Sequence, residues 1–205
     1  MKNFIIFGDS YSTFKDYVPE GHTKYYPSLD VDEVDKTWWK LFISKTGYNL
    51  IHNNSWSGST IGYTGYNNYD CSKTSSFICR YKKQKNNGLF NNDIDLAIVF
   101  GGTNDSWADA PLGEMKFSDW TEDDLYNVFP AISYLLYNLK EDLPKSKILC
   151  VINTDLKEEI VKCMIESSNT FGIDYVVLHD IDKINDHPTA LGMSQICNQI
   201  IDSLK

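Results

Sequence analysis

The sequence predicts an α/β fold, a three-layer α/β/α sandwich built on a five-stranded parallel sheet. Short apolar runs alternate with segments of helical periodicity along the chain, the pattern of strand–helix–strand crossovers. Residues 94–100 (IDLAIVF) form a nearly unbroken apolar run between Asn-Asp and Gly-Gly, as a strand buried on both faces requires. No repeat, low-complexity tract or linker interrupts the 205 residues, 42% of them hydrophobic, so one domain spanning 1–205 with a full core is expected.

The elements follow in order. Residues 3–7 read as the first strand, ending at Gly8. Residues 36–45 carry Trp38, Leu41 and Phe42 at helical spacing, with Gly47 as the stop. Residues 48–52 are the second strand, 72–83 a weaker helix and 94–100 the third strand. A helix over 121–141 opens on Thr121 with acidic residues in its first turn, and Pro130 should kink or break it. Residues 147–152 are the fourth strand, 156–167 a helix, 175–178 the fifth strand and 189–204 the closing helix.

Composition bounds the function. A formal charge of -9 repels phosphate backbones and argues against nucleic acid as partner. Cys71, Cys79, Cys150, Cys163 and Cys197 show no metal or Cys-x-x-Cys spacing and read as buried reduced thiols. His22, His52, His179 and His187 lack ligand spacing, so no metal is expected, nor any other cofactor. No segment approaches a membrane span. The start of the chain shows no leader, which together with the thiols suggests the cytoplasm; a leader already removed would look the same.

Four short segments carry the chemistry, each just beyond a different strand at one sheet edge, where such sheets bind ligands. Gly8-Asp9-Ser10 places a hydroxyl and a backbone N–H on a strand-to-helix turn, unless Ser10 merely caps a helix. Asn54-Ser55-Trp56-Ser57-Gly58-Ser59 offers the Gly58 N–H with no side chain in its way. Gly101-Gly102-Thr103-Asn104-Asp105 presents the Asn104 amide as a neutral donor. His187-Pro188 fixes an imidazole before the last helix.

In the order Ser10, Gly58, Asn104, His187, these segments resemble the four blocks of the SGNH (GDSL-like) hydrolase family: FGDSYS, NNSWSGST, VFGGTND and DHPTALGM. The resemblance spans the chain. It implies a flavodoxin-like α/β/α fold and ester hydrolysis through an acyl-enzyme. By position, Ser10 would be the nucleophile and an oxyanion donor, Gly58 and Asn104 further oxyanion donors, and His187 the base.

One departure stands out. The family usually carries Asp three residues before the histidine, and here Ile184 occupies that position. The partner of His187 is then a main-chain carbonyl or a carboxylate brought by a shifted loop, Asp182 being the favoured one. A Ser-His dyad or a triad results.

Trp56 and Trp107 follow motif segments and are expected to wall the crevice, with Trp38 and Trp39 in the core. Residues 106–120 form a long loop, a candidate lid or partner surface. No long apolar stretch suggests an acyl tunnel, which favours a short acyl group, such as acetyl, on a carbohydrate. The alternatives are a lysophospholipase-like or small-ester hydrolase, a weakened hydrolase domain retained for binding, and a flavin- or nucleotide-binding module. The last lacks a phosphate loop after the first strand. Oligomeric state is not readable from the residues.

Overall fold

The computed structural model describes residues 1–205. The chain runs β1 (Asn3–Gly8), α1 (Trp38–Thr46), β2 (Asn49–Ser55), α2 (Phe77–Asn86), β3 (Leu96–Gly101), α3 (Thr103–Trp107), α4 (Val128–Asp142), β4 (Lys147–Ile152), α5 (Glu158–Phe171), β5 (Asp174–Val177), a small hairpin of β6 (Lys183–Ile184) and β7 (His187–Pro188), and α6 (Ala190–Ser203). Five parallel strands form one sheet in the order β2-β1-β3-β4-β5, the expected flavodoxin-like arrangement.

Strand alternation divides the core in two. Ile5, Phe7, Ala97, Val99, Cys150 and Ile152 face α2, α4 and α5. Phe4, Ile6, Leu96, Ile98, Phe100, Leu149 and Val151 face α1 and α6, where Trp38, Trp39 and Phe42 meet Met193, Ile196 and Ile200. Trp38 and Trp39 are therefore core residues, as expected. All five cysteines are free and buried. No helix is long and apolar enough to cross a membrane.

The helix expected over 121–141 begins later. Thr121 exchanges hydrogen bonds with Asp124, but only a 3-10 turn (Asp123–Tyr126) follows, with Glu122 and not Thr121 at its N-cap. Asn127 is extended, and α4 starts after it. Pro130 then lies in the first turn of α4, where a missing N–H costs nothing, so it neither kinks nor breaks the helix. Similarly, α2 starts at Phe77 because the Ser76 hydroxyl accepts the Cys79 N–H at 3.1 Å.

The order of strands places a switch point between β1 and β3, which are neighbours although β2 separates them in sequence. In register, Gly8 pairs with Ser55 on one side and Phe100 on the other. The carboxyl ends of β1, β2 and β3 are thus level, and the loops leaving them share one crevice.

Candidate active site

Ser10 follows β1 directly and is 2% exposed. Asp9 accepts the Tyr11 N–H at 3.1 Å and turns the chain into a three-residue 3-10 segment, Ser10–Ser12. The helix expected after Ser10 is absent. The donor strength of its N–H therefore rests on local orientation rather than on a helix dipole. Asp9 is wholly buried, and this pushes its carboxyl up to about 6.

His187 arrives from the other end of the chain. Its Nε2 lies 3.1 Å from Ser10 Oγ, so the two side chains meet across 177 positions of sequence. Its Nδ1 meets the Asn185 carbonyl oxygen at 3.0 Å. That bond makes Nδ1 the protonated nitrogen of the neutral ring and leaves Nε2 free to accept. Partial burial draws the His187 pKa below its ordinary value; the Asn185 bond and the Asp186 charge oppose that shift, and Lys183 adds to it.

Of the two partners left open by the sequence, the main-chain carbonyl is the one present. Asp182, the favoured carboxylate, instead accepts a hydrogen bond from the Thr189 hydroxyl at the start of α6. The physical reason is the hairpin. Asn185 and Asp186 have φ of 49° and 61°, the left-handed pair of a two-residue turn. Ile184 consequently pairs with His187 across the hairpin and is 51% exposed. Asn-Asp between Ile184 and His187 is the local signal that could have revealed this turn.

The backbone around His187 is tied down on both sides. The Tyr11 hydroxyl donates to the Asp186 carbonyl at 2.5 Å, and the Tyr26 hydroxyl to the Pro188 carbonyl at 2.7 Å. Lys183 pairs with Asp155 at 3.1 Å. The imidazole lies flat against Tyr25, with ring centroids 3.6 Å apart and planes 6° apart. Trp107 meets the imidazole at 5.8 Å with its plane steeply inclined, and so lines the crevice as expected. Trp56 pairs with His22, the ring centroids 4.3 Å apart.

Gly58 is exposed, with φ 82°, and nothing lies within 4 Å of where a Cβ would be. Asn104 is 2% exposed. Its amide donates to the Ser59 carbonyl at 3.0 Å, and its side-chain oxygen accepts from the Tyr66 hydroxyl at 2.9 Å. The amide is thereby fixed in one sense, with a second N–H to spare. Ser59 joins the Gly58 loop to Asn104, so two of the sequence-derived donors are tied together, and both leave strand ends level with Ser10.

Sequence reasoning missed the residues that hold these loops. Arg80, on α2, is buried with five nitrogen-to-oxygen contacts. It reaches the Ser75 carbonyl at 2.9 Å, the Gly8 carbonyl at 3.2 Å, the Ser59 hydroxyl at 3.1 Å, the Asn54 side-chain oxygen at 3.1 Å and the Asn54 carbonyl. One guanidinium thus joins the ends of β1 and β2 to the Gly58 loop. Burial pulls its pKa down to about 9, with the nearby Asp9 charge opposing. Asp105 is buried and accepts the Ile61 N–H at 3.0 and 2.9 Å and the Gly62 N–H at 3.3 Å. Burial raises its carboxyl to about 6. Neither residue carries a local signal, because all their partners but Ser75 lie more than twenty positions away.

The 106–120 loop is held against α4 along much of its length. The carbonyls of Pro111 and Leu112 accept the N–H groups of Val128 and Phe129, each at 2.9 Å. The Trp120 indole donates to Ser133 at 3.1 Å. The loop is thus fastened to α4, apart from Trp107 at its start. No three His, Cys, Asp or Glu side chains converge closely enough to hold a metal ion.

The family model for GDSL-like lipase/acylhydrolase matches residues 2–204. A GDSL-like lipase structure from Bacteroides ovatus ATCC 8483 is 40% identical, covers 100% of this chain and 98% of that one, and superposes with a TM-score of 0.91. A second, from Bacteroides uniformis ATCC 8492, is 42% identical, covers 99% and 95%, and gives 0.90. An acetyl xylan esterase from the rumen bacterium Butyrivibrio proteoclasticus shares the fold at 15% identity, covering 99% of this chain and 63% of that one, with a TM-score of 0.62. No curated protein matches.

Proposed function

The chain belongs to the GDSL-like lipase/acylhydrolase family, and from that premise we propose that it is a serine esterase that removes a short acyl group, acetyl in the first instance, from a carbohydrate. The observation that carries the reading is the 3.1 Å approach of Ser10 Oγ to His187 Nε2 at the switch-point crevice.

In this mechanism His187 Nε2 takes the Ser10 proton as Oγ attacks the ester carbonyl. The N–H groups of Ser10 and Gly58 and the spare N–H of Asn104 receive the developing oxyanion. Being held in place beforehand, they stabilise it without reorganisation. The imidazolium then protonates the departing alcohol, leaving an acyl-Ser10 ester that water cleaves by the same steps in reverse roles. The pair acts as a dyad, with the Asn185 carbonyl holding the tautomer.

The substrate class is supported by the surroundings of Gly58. A cavity of about 520 Å³ opens beside it, lined by Gly65, Tyr66, Asn67, Tyr69, Cys71 and Ser75. Tyr69 is 63% exposed. Aromatic faces beside neutral hydrogen-bonding groups, in an open basin, suit a sugar ring better than an acyl chain. The structurally similar Butyrivibrio proteoclasticus protein, an acetyl xylan esterase, points the same way.

The test is turnover of p-nitrophenyl acetate, longer-chain esters and an acetylated oligosaccharide, with Ser10→Ala as control and a fluorophosphonate probe reporting on Ser10. Turnover of the acetyl esters that falls with chain length and vanishes in Ser10→Ala is expected. A Ser10→Ala protein as active as the wild type would refute the mechanism, and a preference for long acyl chains would refute the substrate class.

A further inference from the structure

No carboxylate is hydrogen-bonded to the His187 ring, yet the ring is held. Asp182 is engaged by Thr189, Asp155 by Lys183 and Asp180 by His179, while Asp186 forms the hairpin turn. We propose that Tyr25 is the positioning residue that replaces the missing acid: its ring face fixes the imidazole plane toward Ser10 and steadies the imidazolium. This rests on the reading of Ser10 and His187 as nucleophile and base.

The Asn185 carbonyl anchors Nδ1, but once Ser10 Oγ leaves Nε2 to attack the ester, that one hydrogen bond does not fix the ring plane. A flat stack at 3.6 Å and 6° removes this freedom, because any tilt drives imidazole atoms into the Tyr25 ring. Tyr11, with its centroid 5.5 Å away, and Trp107 also border the imidazole.

Tyr25 is itself well anchored. Its N–H donates to the Thr13 hydroxyl at 2.9 Å, and its ring meets Tyr26 edge-on at 4.9 Å. Tyr26 in turn holds the Pro188 carbonyl. Two consecutive tyrosines therefore brace this segment, one against the histidine ring and one through the carbonyl of the following residue, Pro188.

The stack also matters electrostatically. When the Ser10 Oγ–H proton moves to Nε2, both ring nitrogens carry protons and the ring gains a full positive charge, while Nδ1–H still donates to Asn185. A carboxylate would answer that charge directly. Here the more distant Asp186 charge is joined by the negative face of an aromatic ring, in a half-buried site where such an attraction is worth more than in water. The contact uses the ring and not the hydroxyl, which separates the useful substitutions.

The experiment compares Tyr25→Phe and Tyr25→Leu with wild type, using p-nitrophenyl acetate kinetics and 1H–15N spectra of the His187 imidazole. In Tyr25→Leu, kcat should fall roughly ten-fold or more, the size of a desolvated cation–π contact, with KM little changed. Tyr25→Phe should stay within about threefold of wild type by the same reasoning. In the wild type and in Tyr25→Phe, the His187 ring protons should resonate upfield, shifted by the aromatic face, with Nε2 unprotonated.

Wild-type kcat in Tyr25→Leu would overturn the proposal, as would a phenylalanine variant as impaired as the leucine one. A rise in KM alone would make Tyr25 a substrate wall and overturn it too. Should Tyr25→Leu not fold, the wild-type spectrum decides, since unshifted ring protons refute the stack. Wild-type turnover in Ser10→Ala would instead remove the nucleophile reading, an outcome separate from any of these.

Discussion

Replacing Asn104 by alanine tests the oxyanion assignment at the point where the geometry is most constrained. The side-chain amide is held from both ends, by the Tyr66 hydroxyl at 2.9 Å and the Ser59 carbonyl at 3.0 Å. It cannot rotate away, so its spare N–H is available without reorganisation. Losing such a donor costs about 2.7–4 kcal/mol of transition-state stabilisation, about 10²–10³ in kcat. The fold should lose less. Tyr66 is 40% exposed, so water can satisfy its freed hydroxyl, and only the Ser59 carbonyl is left short, at a cost of about 1–3 kcal/mol. Tyr66→Phe removes the orienting bond but keeps the amide, and a bond worth ~0.5–1.5 kcal/mol predicts a roughly two- to twelve-fold loss in kcat. The assay is p-nitrophenyl acetate turnover, with kcat and KM determined separately and thermal unfolding as control. An Asn104→Ala protein with kcat within about threefold of wild type, or one that changes only KM, would refute the role.

Three further predictions follow from the same contacts. Desolvation lowers the His187 pKa, so the base stays neutral to a lower pH than a free imidazole. The acid limb of kcat/KM should therefore have its midpoint below the reference value of about 6.5, with activity lost only as pH falls through it; a midpoint above that value in a pH–rate profile would contradict this. Arg80→Met strands the Gly8, Asn54 and Ser75 carbonyls and leaves Asp9 without its opposing charge, for an expected loss on the order of 3–5 kcal/mol in urea unfolding. Less than 1 kcal/mol, on the order of an exposed charge contact, would show that the guanidinium does not bear on those strand ends. Asp182→Asn should change kcat/KM by no more than about twofold, because Asp182 serves Thr189 rather than His187; a ten-fold loss would reinstate it as the acid.

Much of the site could be read locally because strand ends announce themselves. Ser10, Gly58, Asn104 and His187 each sit just past an apolar run or before a capped helix, and in a parallel sheet every such position falls on one edge. Helix starts were less legible. Pro130 reads as a kink or a break, yet the extended Asn127 interrupts the segment before it, and Ser76 rather than Ser72 opens α2. These choices depend on which of several competent caps meets the core, and tertiary packing decides that.

What the sequence alone determined is the order of strands and helices along the chain, the sheet edge at which four candidate groups fall, and the absence of an acid three residues before His187. Tertiary structure alone decided what takes that acid's place and what braces the loops: the Asn185 carbonyl presented by a hairpin, the Tyr25 ring, Arg80 beneath two strand ends, Asp105 under Ile61. Each of these depends on distance and angle, and most join residues far apart in the chain. Residue type and spacing reveal where a strand stops, whereas two rings lying 3.6 Å apart, from positions 25 and 187, leave no periodic trace.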